Sequence, residues 1–182
     1  MLPVAAAILL LLVLLGETRN ALLWTVAVGS VLATILVLKL TFAGCAPPSP
    51  FAWWRSPSGH TSSAAMVYGG VAAVVGLGVV ATFAQSVAVA LLIGMSRILL
   101  GHHSPSEAIL GGMIGVLGAT TFAALSRPAP RRAGRRGLVL ATAAAVLVLA
   151  ILLHGRHLES ERLIDDWSWR YWPLRACTGL PS

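Results

Sequence analysis

At 182 residues the chain has the length of one domain. Its residues are 57% apolar and 10% charged, and the mean hydropathy is +0.85, which excludes an ordinary soluble globule and points to a polytopic membrane protein. The formal charge of +7 would suit a nucleic-acid partner, but five arginines fall in one short run, Arg127 to Arg136, between apolar stretches, so the charge reads as a topology signal.

In chain order, residues 2–16 form a first apolar segment, a little short for a full span. It has no basic leader, and Gly16-Glu17-Thr18-Arg19-Asn20 is a poor cleavage site, so a retained helix is expected and not a signal peptide. Asn20 is expected to cap a second helix over about 21–43 that ends near Lys39. Gly44-Cys45-Ala46-Pro47-Pro48-Ser49-Pro50 then breaks the helix, and Phe51, Trp53 and Trp54 suit the bilayer interface. Further spans are expected over about 61–82, 85–100 and 104–126, with small residues that permit close helix packing. A sixth is expected over about 137–154, ahead of a polar tail from Gly155 to Ser182. The fold class expected is an all-α integral membrane protein, a six-transmembrane-helix bundle forming a single membrane domain over 1–182.

The polar stretch Arg55-Ser56-Pro57-Ser58-Gly59-His60-Thr61 stands out between two apolar segments. It reads as a loop running into a helix N-terminus, where unpaired N–H groups and the positive dipole end suit a phosphate. The plainer reading is an N-cap supplied by Ser58 or Thr61. Histidine adds a side chain that titrates near neutral pH. By the positive-inside rule Arg19 and the arginine run face the cytoplasm. The loops after the second and fourth helices then share the outer face, bringing Lys39, Pro57–Thr61, Arg97, His102, His103 and Glu107 to one side. Charged residues at membrane depth are costly and usually mark a site. Cations, histidines, a carboxylate and an anion-cradling turn are the parts that phosphoryl transfer needs.

Pro57-Ser58-Gly59-His60 and Ser96-Arg97-x5-His103-x3-Glu107 resemble the second and third signature motifs of the type 2 phosphatidic acid phosphatase (PAP2) superfamily. Lys39-x6-Ala46-Pro47 resembles the first, which usually reads Lys-x6-Arg-Pro, so here alanine stands where the family has a phosphate-binding arginine. The resemblance covers residues of about 20–126, the PAP2-like core, leaving the helix of about 137–154 as an addition and 155–182 as an extracytoplasmic tail. It implies that His103 attacks phosphorus, that Glu107 holds the His103 ring as the family's aspartate does, and that His60 protonates the leaving oxygen and later activates water. Lys39, Arg97 and the Ser58-Gly59 backbone would bind the phosphate, with Arg55 or an arginine of the tail able to replace the missing ligand. No metal or other cofactor is implied.

Ser104-x-x-Glu107, with Pro105 at the first helical position, is also a helix capping box, and the two roles of Glu107 are compatible. Lys39 could instead snorkel to the interface; His102 beside His103 could suggest a metal pair, but adjacent side chains point apart and it reads as a supporting or solvated histidine, while His154 and His157 read as bystanders. Trp167, Trp169, Tyr171 and Trp172 would anchor the tail at the interface. As a hypothesis, a Cys45–Cys177 disulfide pins that tail over the site, which free-thiol labelling with and without reductant tests.

The expected function is an integral membrane phosphatase of a lipid phosphate or pyrophosphate, of the undecaprenyl pyrophosphate, phosphatidic acid or phosphatidylglycerophosphate type. It would act at the outer face of a bacterial cytoplasmic membrane through a phosphohistidine, with the lipid and the bilayer as its partners and no nucleic acid. The alternatives are a lipid phosphotransferase, which shares the first half-reaction, and a phospholipid-binding or transport protein, which the missing arginine would suit.

Overall fold

A computed structural model describes residues 1–44 and 56–126. They form five helices: α1 (Leu2–Leu14), α2 (Thr18–Gly44), α3 (Gly59–Val74), α4 (Gly78–Leu99) and α5 (Pro105–Leu125), with no strand among the described residues. The expected sixth span, the Cys45–Cys177 pairing, the interfacial tryptophans, Ala46, Arg55 and the tail lie outside the described residues.

Three of the helices, Thr18–Phe42 within α2, α4 and α5, are long and apolar enough to cross a membrane. Of the most apolar stretch of α4 only 17% is buried, and of α2 only 22%. Val80, Leu91, Leu92 and Leu99 of α4, Leu22 and Val26 of α2, and Ile109, Met113 and Leu117 of α5 all lie exposed. A helix that is apolar on its uncovered face belongs in lipid, and the chain is a membrane-embedded helical protein. α3 is different. Its 16 residues span about 24 Å at the helical rise, and ten of them are buried among α2, α4 and α5.

The boundaries differ from those expected at two places. The third helix stops at Val74 instead of running to about 82, and the fourth begins at Gly78 instead of 85. Gly76 and Gly78 have φ of 85° and 84°, a left-handed conformation that side-chain-bearing residues rarely adopt. The Gly76 N–H bonds the Ala73 carbonyl and the Leu77 N–H the Ala72 carbonyl, a Schellman ending that reverses the chain after sixteen residues. The apolar run continues across the turn, so hydropathy alone does not reveal it. Asn20 likewise is not a cap. α2 begins at Thr18, the Glu17 carbonyl accepts the Ala21 N–H, and the Asn20 amide donates to Glu17 Oε2 at 2.8 Å from within the first turn.

The core joins α1, α2, α3 and α5 around Trp24, which is 1% exposed. Its indole N–H donates to the Ala5 carbonyl at 3.0 Å, and its ring meets Phe122 edge-on at 5.2 Å. α4 packs on the other side of α3 and α5. Glycines set the spacing between α3 and α5. A Cβ on Gly111 would strike the Ser58 carbonyl oxygen, and one on Gly115 would strike the Ser62 carbonyl oxygen and lie 2.8 Å from the Ala65 methyl. Backbones approach closely there because no side chain intervenes.

Gly115→Ala is expected to destabilise the detergent-solubilised protein by about 1–3 kcal/mol through overpacking. Gly29→Ala, which meets nothing within 4 Å, should leave thermal unfolding unchanged or slightly raised.

Candidate active site

The site forms where the C-terminal ends of α2 and α4 meet the N-terminal ends of α3 and α5. α3 starts at Gly59 because Ser58, in extended conformation, caps it: its hydroxyl accepts the Thr61 N–H at 3.4 Å and the Thr61 hydroxyl at 3.0 Å. α5 starts at Pro105 with the full capping box, the Ser104 hydroxyl accepting from the Glu107 N–H while Glu107 Oε2 accepts the Ser104 N–H at 3.1 Å. The two starts are joined by one backbone bond, from the Ser58 N–H to the Glu107 carbonyl at 3.0 Å. Two helix dipoles therefore direct their positive ends to one place.

α4 delivers Arg97 to the same place and then turns. Leu100 ends the helix, Gly101 takes φ of 69°, its N–H bonds the Ile98 carbonyl, and the His102 N–H bonds the Arg97 carbonyl. This ending ties the arginine's backbone to that of the two histidines. α2 brings Lys39 alongside, since a Cβ on Gly59 would lie 3.9 Å from Lys39 Cε and 3.6 Å from Ile35 Cγ2.

Two side-chain pairs result. His103 Nδ1 lies 2.8 Å from Glu107 Oε2, and Glu107 is 5% exposed. The same carboxylate oxygen accepts the Ser104 N–H, so it acts as an acceptor and the His103 proton sits on Nδ1. Nε2 of His103 then carries the ring's lone pair, as a nucleophile or base requires. The second pair is Arg97 Nη2 and His60 Nδ1 at 3.2 Å. A guanidinium only donates, so Nδ1 of His60 accepts and the proton resides on Nε2. The two histidines thus have opposite tautomers at one end of the bundle. Their neighbours decide this: a carboxylate beside one, an arginine beside the other.

Of the residues expected at the site, Lys39, Gly59, His60, Arg97, His103 and Glu107 gather at this end, and Arg55 lies outside the described residues. Ser58 is placed differently from expectation. It is fully buried, its hydroxyl oxygen accepts in the cap and its N–H donates to the Glu107 carbonyl, so it shapes the turn from beneath and its N–H is not open to a ligand. The N–H groups of Gly59, His60 and Thr61, in the first turn of α3, have no carbonyl four residues back inside the helix, and Ser58 caps that of Thr61. His102 is exposed beside the partly buried His103. Gly101 is a structural residue that motif reading overlooked, whereas the close packing expected of the glycines of the fifth helix is met at Gly111. The signal for Gly101 was a glycine directly after Ile98-Leu99-Leu100.

No protein-family model matches the chain, and nothing among curated proteins or solved structures matches it either.

Glu107→Ala removes the reciprocal cap as well as the partner of His103, and is expected to lower stability by about 1–2 kcal/mol in denaturant or thermal unfolding. Glu107→Gln keeps an acceptor oxygen for Ser104 and His103 and should recover most of that loss.

Proposed function

We propose that the protein is an integral membrane lipid phosphatase of the PAP2 type. It removes phosphate from a lipid phosphate or pyrophosphate at the outer face of a bacterial cytoplasmic membrane. The observation that carries this reading is the His103–Glu107 pair, whose 2.8 Å contact occupies Nδ1 and leaves Nε2 as the ring's lone-pair nitrogen, at the end of the bundle that also holds Arg97, Lys39 and the start of α3. A six-span bundle with a PAP2-like core, oriented by the arginine run of 127–136, is part of the same reading.

In this scheme Lys39, Arg97 and the Gly59 and His60 N–H groups hold the phosphate oxygens, and Ser58 keeps the turn in shape. His103 Nε2 attacks phosphorus and the bond to the leaving oxygen breaks. As positive charge builds on the His103 ring, Glu107 stabilises it through Nδ1–H. His60, as an imidazolium, protonates the leaving oxygen and then takes a proton from the water that hydrolyses the phosphohistidine. The exposed Leu99 and Leu100, next to this end, support an amphiphilic substrate over a soluble ester. Ala46 in place of the family's arginine favours a second reading, a relative that binds phospholipid without turning it over.

Phosphate release by the detergent-purified protein separates these readings. Release from phosphatidic acid or polyprenyl pyrophosphate should persist in EDTA. His60→Asn should reduce it by about 10²–10⁴-fold, the range for losing a general acid, and His103→Ala should abolish it. Equal, near-zero release from wild type and His103→Ala on every lipid would sink the phosphatase and leave lipid binding.

A further inference from the structure

The start of α3 lies deeper in the membrane than the ends of the helices beside it. At the far end of α3 the turn through Gly76, Leu77 and Gly78 carries no charge, and Val75, Leu77, Val79 and Val80 around it are exposed and apolar. The first N–H groups of α4 need water there, so the turn sits no deeper than the edge of the hydrocarbon. From that turn the 16 residues of α3 reach about 24 Å, against a hydrocarbon core of about 30 Å. Tilt only shortens the reach, so the first turn of α3 stops about 6 Å or more short of the opposite edge.

α2 shows the same recess independently. A Cβ on Gly59 would lie 3.6 Å from Ile35 Cγ2, so the start of α3 is level with Ile35. Beyond that level α2 stays apolar through Leu36, Val37, Leu38, Leu40 and Phe42, about 10 Å further at the helical rise, and its membrane-length stretch ends only at Phe42. On α4, Leu99 and Leu100 follow Arg97 and are both exposed. Arg97 does not reach outward past them, because its Nη2 is held 3.2 Å from Nδ1 of His60 in the first turn of α3. The groups that would bind phosphate therefore lie beneath an apolar collar formed by α2 and α4.

This depth selects among lipid phosphates. A phosphate bonded directly to an apolar chain, or to the glycerol of a diacyl unit, reaches the site while its chains stay in the lipid beside α2 and α4. A phosphate carried on a sugar, a phosphoglycerol or another polar spacer draws that spacer into the collar, where its polar groups lose their water. Lifting the chains instead exposes them to water. Resting on the phosphatase reading, we propose that the substrate is a lipid whose scissile phosphate is borne directly on its apolar part, with no polar spacer between them. Leu99 and Leu100 of α4 and Leu36 and Val37 of α2, all exposed to lipid at or above the level of the site, enforce that choice. The products part by the same rule: the chain-bearing alcohol stays in the bilayer and inorganic phosphate leaves to water.

The test uses the full chain in phosphatidylcholine liposomes and two probes, dodecyl phosphate and dodecyl tri(ethylene glycol) phosphate. The probes share chain and phosphate and differ only in the polar spacer. For phosphate release, kcat/KM should be at least about tenfold higher for dodecyl phosphate, the effect of carrying one unpaired polar group into hydrocarbon. Depth is read separately, with a nitroxide on Leu100→Cys in a chain that also carries Cys45→Ser and Cys177→Ser. That label should be relaxed more by oxygen than by a water-soluble nickel complex, as a label on Leu91→Cys near the middle of α4 is. Equal turnover of the two probes, or faster turnover of the spaced one, overturns the proposal, and its loss in His103→Ala then shows that the phosphatase reading stands. A Leu100→Cys label that responds to nickel as a water-exposed site does also overturns it, whatever the activity. No release from either probe, with the label in hydrocarbon, sinks the phosphatase reading and this proposal with it.

Discussion

One backbone hydrogen bond, from the Ser58 N–H to the Glu107 carbonyl, holds the beginnings of two helices side by side. It can form only because Gly111 leaves room for the Ser58 carbonyl and Gly115 for that of Ser62. With side chains at those positions α3 and α5 would separate, and the two positive dipole ends would no longer meet. His60 rides on one of these helices and the His103–Glu107 pair on the other. The chemistry of the site is thus referred to the spacing of two backbones, which bend far less readily than side chains.

Glu107 is economical in a way that its chain length explains. At the third position of α5 a glutamate reaches back to the N–H of the capping Ser104, and His103 immediately precedes that cap. The oxygen that closes the box therefore already lies beside the His103 ring. Holding the helix start and holding the imidazole are one geometric act.

The lipid environment shapes what the bundle must bury. α2, α4 and α5 leave their apolar outer faces uncovered, so water is not what drives those faces together. Close contact of small residues and a few internal polar bonds do that work, such as Trp24 to the Ala5 carbonyl and the Gln85 amide to the Tyr68 carbonyl at 2.6 Å. α3, short and surrounded, is the element whose position the others define.

Membrane character, the helical class and the grouping of Lys39, His60, Arg97, His103 and Glu107 on one face were legible in the residues themselves. They follow from hydropathy, from charge asymmetry and from motif spacing, all of which are local or additive along the chain. The α5 capping box was legible for the same reason. The turn at Gly76 was not, because the apolar run passes straight through it and only backbone conformation marks the reversal. Nor was the use made of Ser58, whose hydroxyl oxygen accepts from a residue three positions away and whose N–H donates to one forty-nine positions away. The tautomers of His60 and His103 depend on contacts between separate helices and across a helix start. Which nitrogen bears a proton is decided by the neighbour it meets, and only the tertiary structure chooses that neighbour.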